Sequence, residues 1–112
     1  MANRVVKRVK PAETELKEKM DAGEVQLIDV RQPDEFAFAK IEGAKLIPLG
    51  EIVKRMDELD DSKELVLQCK AGGRSAHAIQ FLSQAGYTGK MFNLKGGITA
   101  WSNDVDPKIP KY

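Results

Sequence analysis

The chain has 112 residues, room for one domain but not for a second of ordinary size. Apolar residues make up 42% and charged residues 31%, a globular balance; the apolar runs are too short to cross a membrane as a helix, and no signal peptide is visible. Lysine and arginine total 18 against 17 acidic residues, so no bias toward polyanions exists, and neither nucleic acid nor a membrane surface is expected as a partner.

The first ten residues are locally basic. Arg4, Lys7, Arg8 and Lys10 alternate with Val5, Val6 and Val9, the pattern of a half-exposed edge strand or of a linker remnant. Pro11 suits a first helical turn, and Ala12, Leu16 and Met20 recur at helical spacing until Gly23. Residues 25–30 form a short apolar strand, and Pro33-Asp34-Glu35 opens a brief helix with Phe36 and Ala39 facing inward. Residues 44–47 read as a strand closed by Pro48. Ile52, Val53, Met56 and Leu59 then make one apolar helical stripe.

Leu65, Val66 and Leu67 are a continuous apolar strand, the kind buried on both sides in a parallel sheet. Ala78, Phe81, Leu82 and Ala85 follow at i, i+3, i+4 and i+7, and Gly86 is placed to end that helix. Residues 91–94 are the last strand, followed by Gly96-Gly97 and a short helix holding Trp101. Five strand-like pieces alternating with helices predict a single α/β domain over residues 1–112, with a five-stranded parallel sheet and helices on both faces. Such sheets bind ligands beyond the carboxyl ends of their strands, here just after Leu67.

That position reads Gln68-Cys69-Lys70-Ala71-Gly72-Gly73-Arg74-Ser75 and runs into a helix. A strand, a turn with two glycines and a helix N-terminus make an anion site, because successive N–H groups and the helix dipole point into one concavity. A cysteine at its mouth has a depressed pKa, and thiolate is the nucleophilic form. Cys69 is the only cysteine, so no internal disulfide can form and the chain suits a reducing cytoplasm. The ordinary alternative, an inert buried cysteine, fits poorly beside a Gly-Gly-Arg-Ser turn. Arg74 either clamps an anionic donor or pairs with a carboxylate and braces the loop. Lys70 adds positive charge to the loop or is simply solvated, and Ser75 is expected to cap the helix. His77, the only histidine, falls on the face shared with Gln80 and Gln84 and reads as solvent-facing. One cysteine and one histidine make a metal site improbable.

At these residues the chain resembles the rhodanese family. The six residues from Cys69 to Arg74 match its catalytic loop, in which the first residue carries sulfur. Leu27-Ile28-Asp29-Val30-Arg31 followed by Asp34-Glu35-Phe36 is similar to its first signature, and Asn93-Leu94-Lys95-Gly96-Gly97-Ile98-Thr99-Ala100-Trp101 to its closing one. Asp29, Arg31 and Glu35 are expected to support the loops, with Arg31 paired to Glu35 across the turn, and Trp101 to sit in the core. Gly96-Gly97 is expected to let a loop pass close to the catalytic turn. Lys40-Ile41-Glu42-Gly43-Ala44 departs from the family's usual G-H-I-P-G-A, which alters packing there and not the cysteine loop.

The ending Val105-Asp106-Pro107-Lys108-Ile109-Pro110-Lys111-Tyr112 is similar to the C-terminal rhodanese domain of adenylyltransferase/sulfurtransferase proteins. These serve molybdopterin, thiamine or tRNA thiolation. The resemblance implies a sulfurtransferase in which Cys69 forms a persulfide, with no cofactor beyond that covalent sulfur. The implied partners are thiosulfate, a cysteine desulfurase, an E1-like adenylyltransferase or a ubiquitin-like sulfur carrier. Two other readings stand beside it. One is a non-catalytic rhodanese-like binding module. The other is a cysteine-dependent phosphatase or arsenate reductase, whose loop is one residue longer than the four residues, 70–73, between Cys69 and Arg74.

Overall fold

Apolar continuity decides which segments occupy the middle of the sheet. The computed structural model describes the backbone of residues 3–6, 10–94 and 96–111 and the side chains of 16–94 and 96–111. In chain order the elements are β1 (Asn3–Val6), α1 (Lys10–Asp21), β2 (Val25–Asp29), α2 (Pro33–Phe38), β3 (Lys45–Leu46), β4 (Glu64–Gln68), α3 (Gly73–Gln84), β5 (Met91–Leu94) and α4 (Gly97–Asp104). The strands are parallel and ordered β1-β5-β4-β2-β3. β4, which has the longest unbroken apolar run of the strands, lies at the centre, with Leu65, Val66 and Leu67 all buried. β1 lies at one edge, as its basic sequence suggests; the side chains of that segment lie outside the described residues.

Alternation along the strands builds two cores. On one face Ile28, Val30, Leu65 and Leu67 meet Ala78, Ile79 and Leu82 of α3 and Ile47, Ile52 and Leu59. On the other, Val25, Leu27, Val66 and Leu94 meet Leu16 of α1, Ile98 and Trp101 of α4, and Ala39. Trp101 is therefore core, and Ile109 seals the same face, held where the Ser102 hydroxyl donates to its carbonyl at 2.8 Å.

Three segments depart from expectation. Residues 49–59 form two 3₁₀ turns, Leu49–Glu51 and Met56–Glu58, in place of an amphipathic helix. A 3₁₀ turn rises about 2.0 Å per residue against 1.5 Å for an α-helix, so the segment covers more ground across the sheet. Ile52 and Leu59 reach the core while Val53 faces out. In α3 the buried stripe is Ser75, Ala78, Ile79 and Leu82; Phe81 and Ala85 are exposed. Ser75 is fixed inside the loop, and the residues that share its helix face must then point inward with it. Phe81 instead stacks against His77 on the exposed side, ring centroids 6.4 Å apart. Phe36 is only half-buried, with the Lys40 ammonium 5.2 Å from its ring centroid.

At the end of β2 lies a buried ion pair. Arg31 Nε and Nη2 donate to the Asp29 carboxylate at 2.9 and 2.6 Å, and neither residue has any exposed surface. Nη2 also donates to the Ala39 carbonyl at 2.6 Å, and Nη1 to the Glu35 carbonyl at 3.4 Å. Removing one member of such a pair leaves an uncompensated buried charge. Asp29→Ala is expected to cost about 3–5 kcal/mol of stability, measured as a fall in the urea midpoint at unchanged slope.

Candidate active site

β4 delivers the chain to Cys69, and the loop turns at Gly72 into α3. Gly72 has φ +113°, a left-handed conformation costly for any residue with a Cβ. That turn aims its N–H at the sulfur: Gly72 N–H donates to Cys69 Sγ at 3.0 Å. The Ser75 hydroxyl lies 3.5 Å from Sγ. Burial pushes the Cys69 thiol up, with the residue only 2% exposed. The Ser75 hydroxyl and the N–H groups of Ser75, Gly72 and Ala71 outweigh that effect and hold the thiol below its ordinary value.

The loop's carbonyls are tied from behind by the start of α4. Ile98 N–H donates to the Cys69 carbonyl at 2.9 Å and Thr99 N–H to the Lys70 carbonyl at 3.2 Å. This contact requires Gly97, which has φ +55°; a Cβ there would collide with the carbonyls of Cys69 and Lys70. The expected close passage of the Gly96-Gly97 turn is the observed one.

Arg74 makes a two-pronged pair with Glu35 from α2, Nη1 to Oε1 at 2.6 Å and Nη2 to Oε2 at 2.9 Å. Glu35 Oε1 also accepts the Gln32 N–H at 3.0 Å, closing the first turn of α2. Of the two readings of Arg74, the carboxylate-paired one is what the geometry displays. The Glu35 carboxylate thus reaches the loop, while the Arg31 guanidinium is bound to Asp29.

Ser75 is not a helix cap. Gly72 holds the cap position, and Ser75 lies buried within the first turn, its hydroxyl 2.6 Å from Asn93 Oδ1 and 3.1 Å from the Gly72 carbonyl. Asn93, near the end of β5, also donates from Nδ2 to the Gly72 carbonyl at 3.0 Å. Asn93 opens the closing signature, and it stands out as a polar residue inside the apolar run Met91-Phe92-Asn93-Leu94, but neither feature assigns it a contact with the loop. Lys70 is half-buried on the loop, Ala71 and Gly73 are exposed, and His77 faces solvent along α3. Among the described residues no group of three or more His, Cys, Asp or Glu side chains is placed to hold a metal ion.

The family model for the rhodanese-like domain matches residues 12–104. A protein of Allochromatium vinosum named sulfurtransferase is 40% identical over 89 residues, covering 80% of this chain and 82% of that one. The adenylyltransferase and sulfurtransferase MOCS3-1 of Zea mays is 37% identical over 106 residues, covering 88% of this chain but only 22% of the maize protein. Among solved structures, a rhodanese-related protein from Thermoplasma volcanium superposes with a TM-score of 0.70 at 31% identity, covering 83% of this chain and 89% of that one.

Gly97→Ala tests how tightly the loop is backed by α4. The backbone clash and the positive φ together are expected to cost on the order of 3 kcal/mol or more. In any folded remainder the alkylation midpoint of the thiol should rise relative to the wild type, read by mass spectrometry after iodoacetamide pulses at a series of pH values.

Proposed function

The chain belongs to the rhodanese-like domain family, and from that premise we propose that Cys69 carries sulfane sulfur as a persulfide in a sulfurtransferase reaction. The observation that carries this reading is the Gly72 N–H, 3.0 Å from a sulfur whose thiol is held below its ordinary value. The N–H groups that favour the thiolate are equally suited to a persulfide anion on the same atom.

In the first half-reaction the Cys69 thiolate attacks the outer sulfur of thiosulfate. The new S–S bond forms as the old one breaks, and sulfite leaves with the bonding pair. In the second half-reaction a nucleophilic acceptor attacks the terminal sulfur, and the Cys69 thiolate leaves. A protein persulfide, such as that of a cysteine desulfurase, can replace thiosulfate with a thiolate as leaving group. No resident metal or organic cofactor enters these steps, and two half-reactions on one enzyme give ping-pong kinetics.

Lys70 supplies positive charge beside the sulfur, the backbone of residues 71–75 forms the cradle, and Glu35 keeps Arg74 and the start of α3 in place. Asp29 and Arg31 brace α2 and so act at one remove. Likeness to MOCS3-1 and the 105–112 ending support a ubiquitin-like sulfur carrier as acceptor, with an E1-like adenylyltransferase acting before it.

Intact mass after incubation with thiosulfate, and separately with a loaded desulfurase, tests the reading. The wild type should gain one sulfur atom that a reductant removes, and Cys69→Ser should gain none. No adduct from either donor would sink the proposal and leave a binding module. The pH profile gives a second check. Because the folded thiol is held low, thiolate persists to lower pH than in the unfolded chain. Alkylation of Cys69 should therefore rise through a midpoint below that of free cysteine and fall away as pH drops through it.

A further inference from the structure

One side chain holds both groups that flank the sulfur from the helix side of the loop. Asn93 Nδ2 donates to the Gly72 carbonyl at 3.0 Å, and Asn93 Oδ1 lies 2.6 Å from the Ser75 hydroxyl. The Gly72 carbonyl also accepts the Ala76 N–H at 3.2 Å. It therefore already has two N–H donors, so the single Ser75 hydroxyl hydrogen is divided between Asn93 Oδ1 at 2.6 Å and Cys69 Sγ at 3.5 Å. Asn93 is 9% exposed, so its amide is largely shielded from competing water.

We infer that Asn93 is a positioning residue for the sulfur-carrying site, acting on Cys69 through Gly72. The mechanism is geometric. Gly72 sits in a left-handed conformation, and its C=O and N–H belong to the two peptide planes joined at its Cα. Fixing the carbonyl fixes the plane beyond Gly72, and the fold of the turn then keeps the N–H on the near side aimed at Sγ. Without the Asn93 bond a left-handed glycine can rotate at low cost, and the 3.0 Å donor drifts off the sulfur. The Ser75 hydroxyl, 3.5 Å from Sγ and itself held by Asn93 Oδ1, is a second route from the same side chain to the sulfur.

The charged groups around this loop come from several elements: Lys70 from the loop, Arg74 with its partner Glu35 from α3 and α2, the Asp29–Arg31 pair at the end of β2, and His77 a turn along α3. β5 and α4 contribute Asn93, Gly97 and Ile98, which carry no charge. Asn93 therefore acts by holding donors in place and not by its own field.

The inference rests on Cys69 being the sulfur carrier, yet thiol reactivity tests it without sulfur transfer. Asn93→Leu, of similar size, should raise the alkylation midpoint by about one pH unit, a tenfold loss of thiolate at pH values below the midpoint. The shift should persist in a Ser75→Ala background, which separates the Gly72 route from the hydroxyl. Sulfur loading from thiosulfate should slow by the same factor below the midpoint and recover above it, which simple loosening of the fold would not produce. If Asn93→Leu does not fold, Asn93→Asp keeps the shape while removing the Nδ2 donor, and its midpoint should rise at least as far. An unchanged midpoint in a folded variant would overturn the inference. So would failure of both variants to fold, which would make Asn93 a stability residue. A wild type that alkylates as expected but never accepts sulfur would instead count against the sulfurtransferase reading.

Discussion

A guanidinium with no exposed surface needs acceptors for its protons, and Arg31 finds them on two elements. Its bonds to Asp29 tie it to β2, and its bonds to the carbonyls of Glu35 and Ala39 tie it to the middle and the C-terminal cap of α2. α2 has six residues, too few to be stable as an isolated helix. Its orientation is inherited from Arg31. Once α2 is set, the Glu35 side chain is aimed across the crevice at Arg74, and the pair fixes where α3 begins. The cysteine turn is thus suspended between a buried ion pair on one side and α4 on the other.

The turn divides its backbone groups by direction. Carbonyls point away from the sulfur, to Ile98, Thr99 and Asn93, and N–H groups point toward it. This division bears on how a nearly inaccessible thiol is held below its ordinary pKa. One pKa unit corresponds to about 1.4 kcal/mol, and a neutral hydrogen bond contributes roughly 0.5–1.5 kcal/mol net. A single donor would barely offset burial, whereas several converging donors, strengthened because the acceptor is charged, can reverse it. Arg74 need not supply the stabilising charge, since its guanidinium is already matched by Glu35.

Periodicity and composition made the sheet legible because the strands are short apolar runs with turn residues between them. β2, β4 and β5 fall where the runs 25–30, 65–67 and 91–94 indicate. The loop was legible for a local reason: strand, Gly-Gly turn and helix start are contiguous in sequence. What was not legible depends on contacts between distant segments. Asn93 and Ser75 are 18 residues apart, Glu35 and Arg74 are 39 apart, and no local pattern pairs them. The rotation of α3 that exposes Phe81 follows from anchoring Ser75, a tertiary constraint that overrides the most apolar choice of face. The 49–59 segment misled because Ile52, Met56 and Leu59 reach the interior at intervals that a pair of 3₁₀ turns satisfies as well as an α-helix does.

The same anchoring bears on what the loop can hold. Its carbonyls at Cys69, Lys70 and Gly72 are each fixed by a donor from outside the loop, and Gly97 is in contact with its underside. Widening the turn around a tetrahedral oxyanion would break several of these bonds together, at roughly 0.5–1.5 kcal/mol each. A single added sulfur on Sγ asks for no such widening, because the N–H groups already surround that atom. Loop length and loop anchoring, one read along the chain and the other across it, both favour sulfur over phosphoryl or arsenyl chemistry at Cys69.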